Sequence, residues 1–277
     1  MVLVAISLFL LGICLGSFVN ALVWRVHQQA KLARIKNKES RIQNKNSIQS
    51  SQFSILRGRS MCPNCKHQLS TNDLLPLISW LLLRGRCRYC NKPISWQYPA
   101  VELVLGIVFI TSYLFWPYSF EGSGQALLLG TWLISSVGLL ALSVYDFKWM
   151  LLPNRILYPT LWVASAGRAI YILGYDSSKL HSLLNWALAV AVASGIFFLL
   201  FVISKGKWIG YGDVRLGLVT GTLLVGPQEA LLMIFLASIL GTIFVLPALL
   251  SGKEKLVGKL PYGPFLIGST YVVVIFG

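Results

Sequence analysis

Apolar residues in this chain fall in uninterrupted runs, separated by polar connections that are short with one exception. The first run, Met1 to Trp24, contains no charged side chain. Further runs cover about 99–117, 125–145, 156–175 and 182–204, then a short one near 213–226, followed by 228–250 and 260–277. A membrane-crossing helix needs about 20 predominantly apolar residues, so eight such runs account for about 160 positions. The pattern predicts an all-α polytopic membrane protein with about eight transmembrane helices. The first run has no basic segment ahead of it and reads as a retained span, not a cleavable signal peptide.

Charge orients these spans. If the spans alternate from an outer N-terminus, the inner connections are 25–98, 146–155, 205–215 and 251–259. They hold 14, 2, 3 and 3 Lys/Arg, or 22 of the 24 in the chain. Only Arg168 and Lys179 fall elsewhere. Cytoplasmic loops are enriched in these residues, so the N-terminus is expected outside and the long connection inside. If 213–226 did not cross, Lys253, Lys255 and Lys259 would face out, and the rule therefore favours eight spans over seven. The net charge of +15 is thereby placed beside a lipid bilayer and not against a nucleic acid. With 56% hydrophobic and 12% charged residues, against about a quarter charged in soluble domains, the composition excludes a soluble enzyme, a disordered protein and a secreted disulfide scaffold.

The expected organisation is a first helix over 1–24, a basic cytoplasmic linker over 25–59, an ordered cysteine module over 60–98 and a seven-helix membrane domain over 99–277. The linker is polar and poor in large apolar side chains, as a mobile tether or one held against anionic lipid would be. In the module, Cys62-Pro63-Asn64-Cys65 and Cys87-Arg88-Tyr89-Cys90 form two C-x2-C pairs, 21 residues apart. Each knuckle can point two thiolates at one ion, and two knuckles complete the tetrahedral four-thiolate site that zinc prefers. Two disulfides are the alternative, and a reducing compartment disfavours them. Four cysteine ligands leave no open position, so the Zn2+ expected at Cys62, Cys65, Cys87 and Cys90 is structural. His67 reads as a surface residue and Cys14 as an ordinary packing residue of the first span.

Nine acidic residues are few enough to weigh singly. Glu39, Asp73, Glu121, Asp176 and Glu254 fall in loops and read as solvated. Glu229 stands at an outer span edge and Glu102 opens the second span. Asp146 and Asp213 differ: both fall at inner span ends, at similar depth though 67 residues apart, and a carboxylate in a span is costly to keep. Asp213 also ends Gly210-Tyr211-Gly212-Asp213, whose glycines let backbone pack closely or unwind beside an acid. Two carboxylates a few ångströms apart share a proton; one can then activate water while the other polarises a carbonyl. Such a pair can equally carry ions, and composition leaves proteolysis and ion-coupled transport open. His27, His67 and His181 offer no Ser-His or Cys-His arrangement at the same span end.

Leu15-Gly16-Ser17-Phe18-Val19-Asn20 is similar to a GSFxN segment. Arg59 to Cys65, Asp73-Leu74-Leu75-Pro76, Ser79-Trp80-Leu81, Arg84 to Cys90 and Tyr98-Pro99-Ala100-Val101-Glu102 resemble a cytoplasmic cysteine domain. Asp146 to Asn154 resembles a first-aspartate motif, Gly210 to Leu216 a second, and Pro261-Tyr262-Gly263-Pro264-Phe265 a last span. Together these resemble the bacterial type IV prepilin peptidases (leader peptidase/N-methyltransferases) of the GxGD membrane aspartic proteases. The resemblance implies cleavage of the basic leader of prepilins or pseudopilins after a glycine, at the cytoplasmic face of the bacterial inner membrane. It implies catalysis by Asp146 and Asp213, then methylation of the new N-terminus with S-adenosylmethionine. It names no residue for the S-adenosylmethionine site, and no glycine-rich nucleotide-binding signature is present. Arg215 stands where the family usually has lysine, and Gln97 where a basic residue is common. A shorter likeness to presenilin-like proteases, through Tyr145-Asp146, the GxGD and Pro247-Ala248-Leu249, leaves the cysteine segment without a counterpart.

Overall fold

The structure, a computed structural model, describes residues 1–39, 60–118, 120, 122–250 and 261–277. The linker residues 40–59, the inner connection 251–259 with its three lysines and Glu254, and Glu121 lie outside the described residues. Two compact units are present, Met1–Ile110 and Thr111–Gly277. The described residues form α-helices and one 3-10 turn, with two isolated bridges and no strand.

In the first unit, α1 runs over Val2–Glu39. It passes Trp24, where the apolar run stops, and continues into the basic stretch. Residues 25–39 contain neither Gly nor Pro and are rich in Gln, Lys, Arg and Ala, so nothing breaks the helix. Over 25–39 the linker is therefore helical. A 3-10 turn at Thr71–Leu74 and α2 at Ile78–Leu82 follow, then α3 at Gln97–Leu114, whose last turn belongs to the second unit. Small residues set the approach of α1 to α3. A methyl at Gly12 would stand 2.7 Å from the Leu105 carbonyl, and one at Gly16 would stand 2.6 Å from Glu102 Cα. Such a Gly-xxx-Gly face lets backbones meet where hydrocarbon surroundings give side chains no hydrophobic drive to associate. Asn20 secures the same junction by donating its Nδ2 to the Tyr98 carbonyl at 3.0 Å. Cys14 is exposed on α1 and is not the packing residue expected.

The second unit contains α4 (Ser123–Trp149), α5 (Asn154–Gly174), α6 (Lys179–Ser204), α7 (Tyr211–Leu223), α8 (Pro227–Leu250) and α9 (Gly263–Phe276). Helices α4 and α5 interlock through reciprocal Gly–Thr contacts: Gly138 faces Thr160 and Gly167 faces Thr131. Gly217 and Gly221 of α7 lie against Ala193 and Ala189 of α6, and the Ser194 hydroxyl donates to the Val214 carbonyl at 3.1 Å. On α9, Thr270 donates to Met233 Sδ of α8 and Phe265 stacks near Phe244.

Six of the described helices are long and apolar enough to cross a bilayer: α1, α3, α4, α5, α6 and α8. The remaining two expected spans are shorter. α7 and α9 have 13 and 14 residues, about 20 Å at 1.5 Å per residue, against a hydrocarbon core of about 30 Å. Gly226-Pro227 ends the seventh helix early by starting the eighth, and Gly263-Pro264 delays the ninth.

Candidate active site and metal-binding module

Helix α4 ends just after Asp146. Met150 takes a left-handed conformation (φ 50°) and returns its N–H to the Asp146 carbonyl at 2.8 Å; Pro153 then prevents continuation. Asp146 is thereby held in the last turn of α4 and is buried, at 6% exposure. Asp213 sits in the first turn of α7, where Gly210 is the N-cap residue and accepts the Asp213 N–H at 3.0 Å. Helix α9 also begins here. The Gly263 N–H donates to the Asp146 carboxylate, and that of Gly210 to the Asp213 carboxylate. The two carboxylates lie close enough for the charge of Asp146 to act on Asp213. Two helix N-termini thus supply unpaired N–H groups where a carboxylate pair, Asp146 buried and Asp213 half-buried, needs them.

Several residues frame the pair. Leu152 packs on Gly212, and Phe197 of α6 stands edge-on to Tyr262 at 5.8 Å between ring centroids. Arg215 donates to the Asn154 side chain and lies over the Tyr211 ring at 5.2 Å. The guanidinium therefore links the segment after Asp146 to the segment holding Asp213. Gly263 had no assigned role in the sequence beyond its motif, and its contact with Asp146 is legible only in three dimensions.

The four cysteines of the first unit converge as their spacing suggested. Their sulfurs all lie within 4.8 Å of one another, with Cys62 Sγ and Cys90 Sγ 3.9 Å apart. Two equivalent turns make this geometry. The Lys66 N–H returns to the Cys62 carbonyl and the Asn91 N–H to the Cys87 carbonyl, each at 2.9 Å. Lys66 and Asn91 both take positive φ (58° and 56°), which reverses the chain behind each C-x2-C pair. Among the described residues of 60–96, the buried hydrophobic side chains are those of Cys62 and Cys87. So thin a core does not hold a segment of this size by itself.

The thiols show why a cation belongs among them. Burial pushes the Cys62 thiol up, but N–H donors from Cys65 and Asn64 outweigh it and bring it down to about 7. At Cys90 the Lys92 N–H acts downward, while burial and the neighbouring thiols outweigh it and push the group up to about 11. Four sulfurs this close cannot all ionise alone, and a bound dication removes that conflict. The donor set fits a tetrahedral metal ion, for which bonds of about 2.3 Å place sulfurs about 3.8 Å apart.

Asp73, read from the sequence as merely solvated, is the tie between the two knuckles. Its carboxylate accepts from Arg88 Nε at 2.8 Å, the Ser70 hydroxyl at 2.9 Å, the Ser70 N–H at 3.2 Å and the Tyr89 hydroxyl at 3.2 Å. Although burial works against it, these donors hold its carboxyl below the ordinary value. The side chain is 3% exposed while Arg88 is 52% exposed, so the interaction is a covered carboxylate reached by a solvated cation. Glu102 is likewise buried and accepts the Leu77 N–H at 2.8 Å, which fastens the module to α3. His67 is exposed, as expected, and stacks on Tyr89 at 3.7 Å.

Residues 10–116 match the bacterial peptidase A24 N-terminal domain, and residues 133–246 match the type IV leader peptidase family. The chain belongs to this family. It is 30% identical to the prepilin leader peptidase/N-methyltransferase of Stutzerimonas stutzeri, over 96% of this chain and 89% of that relative. The enzyme of the same description from Aeromonas hydrophila is 29% identical over 97% and 89% of the two chains. A type 4 prepilin-like proteins leader peptide-processing enzyme of Escherichia coli is 30% identical, over 96% and 93%. No solved structure matches the chain. The chain is therefore a helical membrane enzyme of the leader peptidase family, with a four-cysteine cluster able to hold a metal.

Proposed function

We propose that this protein cleaves the basic leader of type IV prepilins or pseudopilins, using Asp146 and Asp213 as a proton-sharing pair. The observation that carries the reading is the convergence of both carboxylates with the N-termini of α7 and α9, in a chain matching relatives named for this activity. One carboxylate takes a proton from water as its oxygen attacks the scissile carbonyl. The other, protonated, donates to that carbonyl oxygen, and the proton gained from water passes to the leaving amine. No covalent intermediate is needed. The family match favours this chemistry over ion transport, which composition left open.

The site lies at one end of its helices, which suits a substrate whose cleavage point separates a basic leader from an apolar helix. The proposed location is the bacterial inner membrane, with the N-terminus outside and the module of residues 60–98 in the cytoplasm; the placement of Lys and Arg supports it. The metal of Cys62, Cys65, Cys87 and Cys90 is proposed to be zinc, with a structural role. The names of the relatives support a second reaction, methylation of the freed N-terminus. S-adenosylmethionine would supply the methyl group.

A prepilin cleavage assay in mixed micelles tests the protease. Asp146→Asn and Asp213→Asn should each abolish product while leaving the melting temperature of the chain near that of the parent. Cleavage that survives either change overturns the assignment. Mass spectrometry of the product with and without S-adenosylmethionine tests methylation: a gain of one methyl group supports it, and full cleavage with an unmodified N-terminus removes it.

A further inference from the structure

The second unit contains a cavity of about 270 Å³ at the end of α7 away from Asp213, lined by Arg168, Glu229, Trp116, Tyr118, Trp132 and neighbouring residues. Asp213 to Leu223 spans ten residues of α7, about 15 Å of helix, so the cavity is separate from the aspartate pair. Its volume falls just under the range of about 300–1,000 Å³ typical of small-molecule sites.

Arg168 makes this cavity chemically specific. It is 9% exposed, and its Nε is buried without an acceptor. The Trp116 Nε1 on the same cavity is also a buried donor without an acceptor. Among the described residues no carboxylate comes within 4.0 Å of the Arg168 guanidinium. Tyr171 lies beneath it, 6.0 Å from ring centroid to guanidinium carbon. A buried, unpaired guanidinium is strongly unfavourable, and its planar fork matches a phosphate or carboxylate. An anion alone, however, would meet the Glu229 carboxylate in the same cavity. Asp176 and Glu229 are the acids whose charge reaches Arg168, and neither closes on it. A ligand carrying only positive charge would meet Arg168.

We infer that this cavity binds a zwitterion of the phosphoethanolamine type, with its phosphate on Arg168 and its ammonium toward Glu229 and the aromatic wall. Trp116, Tyr118 and Trp132 suit the ammonium and its methylenes. Tryptophan and tyrosine also concentrate where a membrane protein meets headgroups. The same chemistry can arrive as the headgroup of a lipid or as a water-soluble phosphoethanolamine ester.

The full chain, purified in detergent and delipidated, is titrated with phosphatidylethanolamine and phosphatidylglycerol, with binding followed by native mass spectrometry. The parent should favour phosphatidylethanolamine by about tenfold, the worth of one charged hydrogen-bonded contact. Arg168→Gln should weaken phosphatidylethanolamine binding by a similar factor, about tenfold. Glu229→Gln, at a partly exposed helix start, should reverse the preference toward phosphatidylglycerol, because the guanidinium remains and the ammonium partner is lost. Leader cleavage by Glu229→Gln should match the parent. If Arg168→Gln does not fold, Arg168→Lys serves, retaining the preference with reduced affinity. Competition by glycerophosphoethanolamine at equal concentration assigns the site to the free headgroup, and failure to compete assigns it to the intact lipid. Equal binding of both lipids by the parent, or an unchanged preference in Glu229→Gln, overturns the inference.

Discussion

Gly263→Ala is the sharpest probe of the aspartate site, because it adds one methyl group where the structure leaves no room. That methyl would stand 2.6 Å from Asp146 Oδ2 and 3.4 Å from Leu216 Cδ2. Real carbon contacts relax toward about 3.5–4.0 Å, so the carboxylate or the start of α9 must move by about 1 Å. Either movement breaks the Gly263 N–H bond to Asp146. A hydrogen bond to a charged group contributes about 1.5–3 kcal/mol, which at about 1.4 kcal/mol per decade is about a 10- to 150-fold effect. A displacement of about 1 Å at a reacting group also costs about 100-fold. Gly263→Ala should therefore lower kcat/KM for prepilin cleavage by about 100-fold, with a melting temperature within a few degrees of the parent. Gly268→Ala, on the same helix with nothing within 4 Å of the added methyl, is the control and should cleave normally. If Gly263→Ala cleaves within about twofold of the parent, a difference of only some 0.4 kcal/mol in barrier, the contact between α9 and Asp146 is not part of catalysis.

Chelation should release a single metal per chain and expose the 60–98 segment to protease, since its buried side chains are chiefly two of the ligands; elemental analysis and limited proteolysis of the full chain check this. Asp73 titrates below its ordinary value when folded, so its contribution is present above the unfolded carboxylate pKa of about 3.9 and is lost as pH falls from there through the lower folded value. Amide protection of residues 70–74 should drop as pH falls below about 4 in the parent and stay flat in Asp73→Asn. Gly221→Leu should destabilise the second unit by about 1–3 kcal/mol, an overpacking cost, because even a methyl there meets Ala193 and Val190 at 2.9 Å. Thermal melts of that variant beside Gly195→Ala, which meets nothing within 4 Å, decide whether the α6–α7 contact is as close as described.

Sequence reasoning singled out residues whose type is costly or whose spacing is local. A C-x2-C pair closes through a turn of a few residues, so Cys62, Cys65, Cys87 and Cys90 were legible as one cluster. Asp146 and Asp213 stood out because carboxylates are rare in apolar spans. Asp73 was discounted for the opposite reason: a loop acid is ordinarily solvated, and only the folded module shows Ser70, Arg88 and Tyr89 closing over it. Cys14 was assigned to packing by residue type, yet which side of a uniformly apolar helix faces inward carries no pattern when lipid and core are equally apolar. Helix α7 has nearly the length of the short apolar run near 213–226, whereas α9 is shorter than the run 260–277 because Gly263-Pro264 sets its first turn.

Composition and the blockwise run of apolar residues determine that this is a helical membrane protein, because hydrocarbon demands internally satisfied backbone and a fixed length of apolar helix. They also determine which acids and thiols are exceptional. Tertiary structure alone decides that the end of α4, the start of α7 and the start of α9 meet. That meeting depends on Gly217 and Gly221 against α6 and on Gly138 and Gly167 against threonines, contacts between segments far apart in the chain. Small residues carry no hydrophobic signal to read in advance; their effect is the space they leave, and that space exists only once the partner helix fills it.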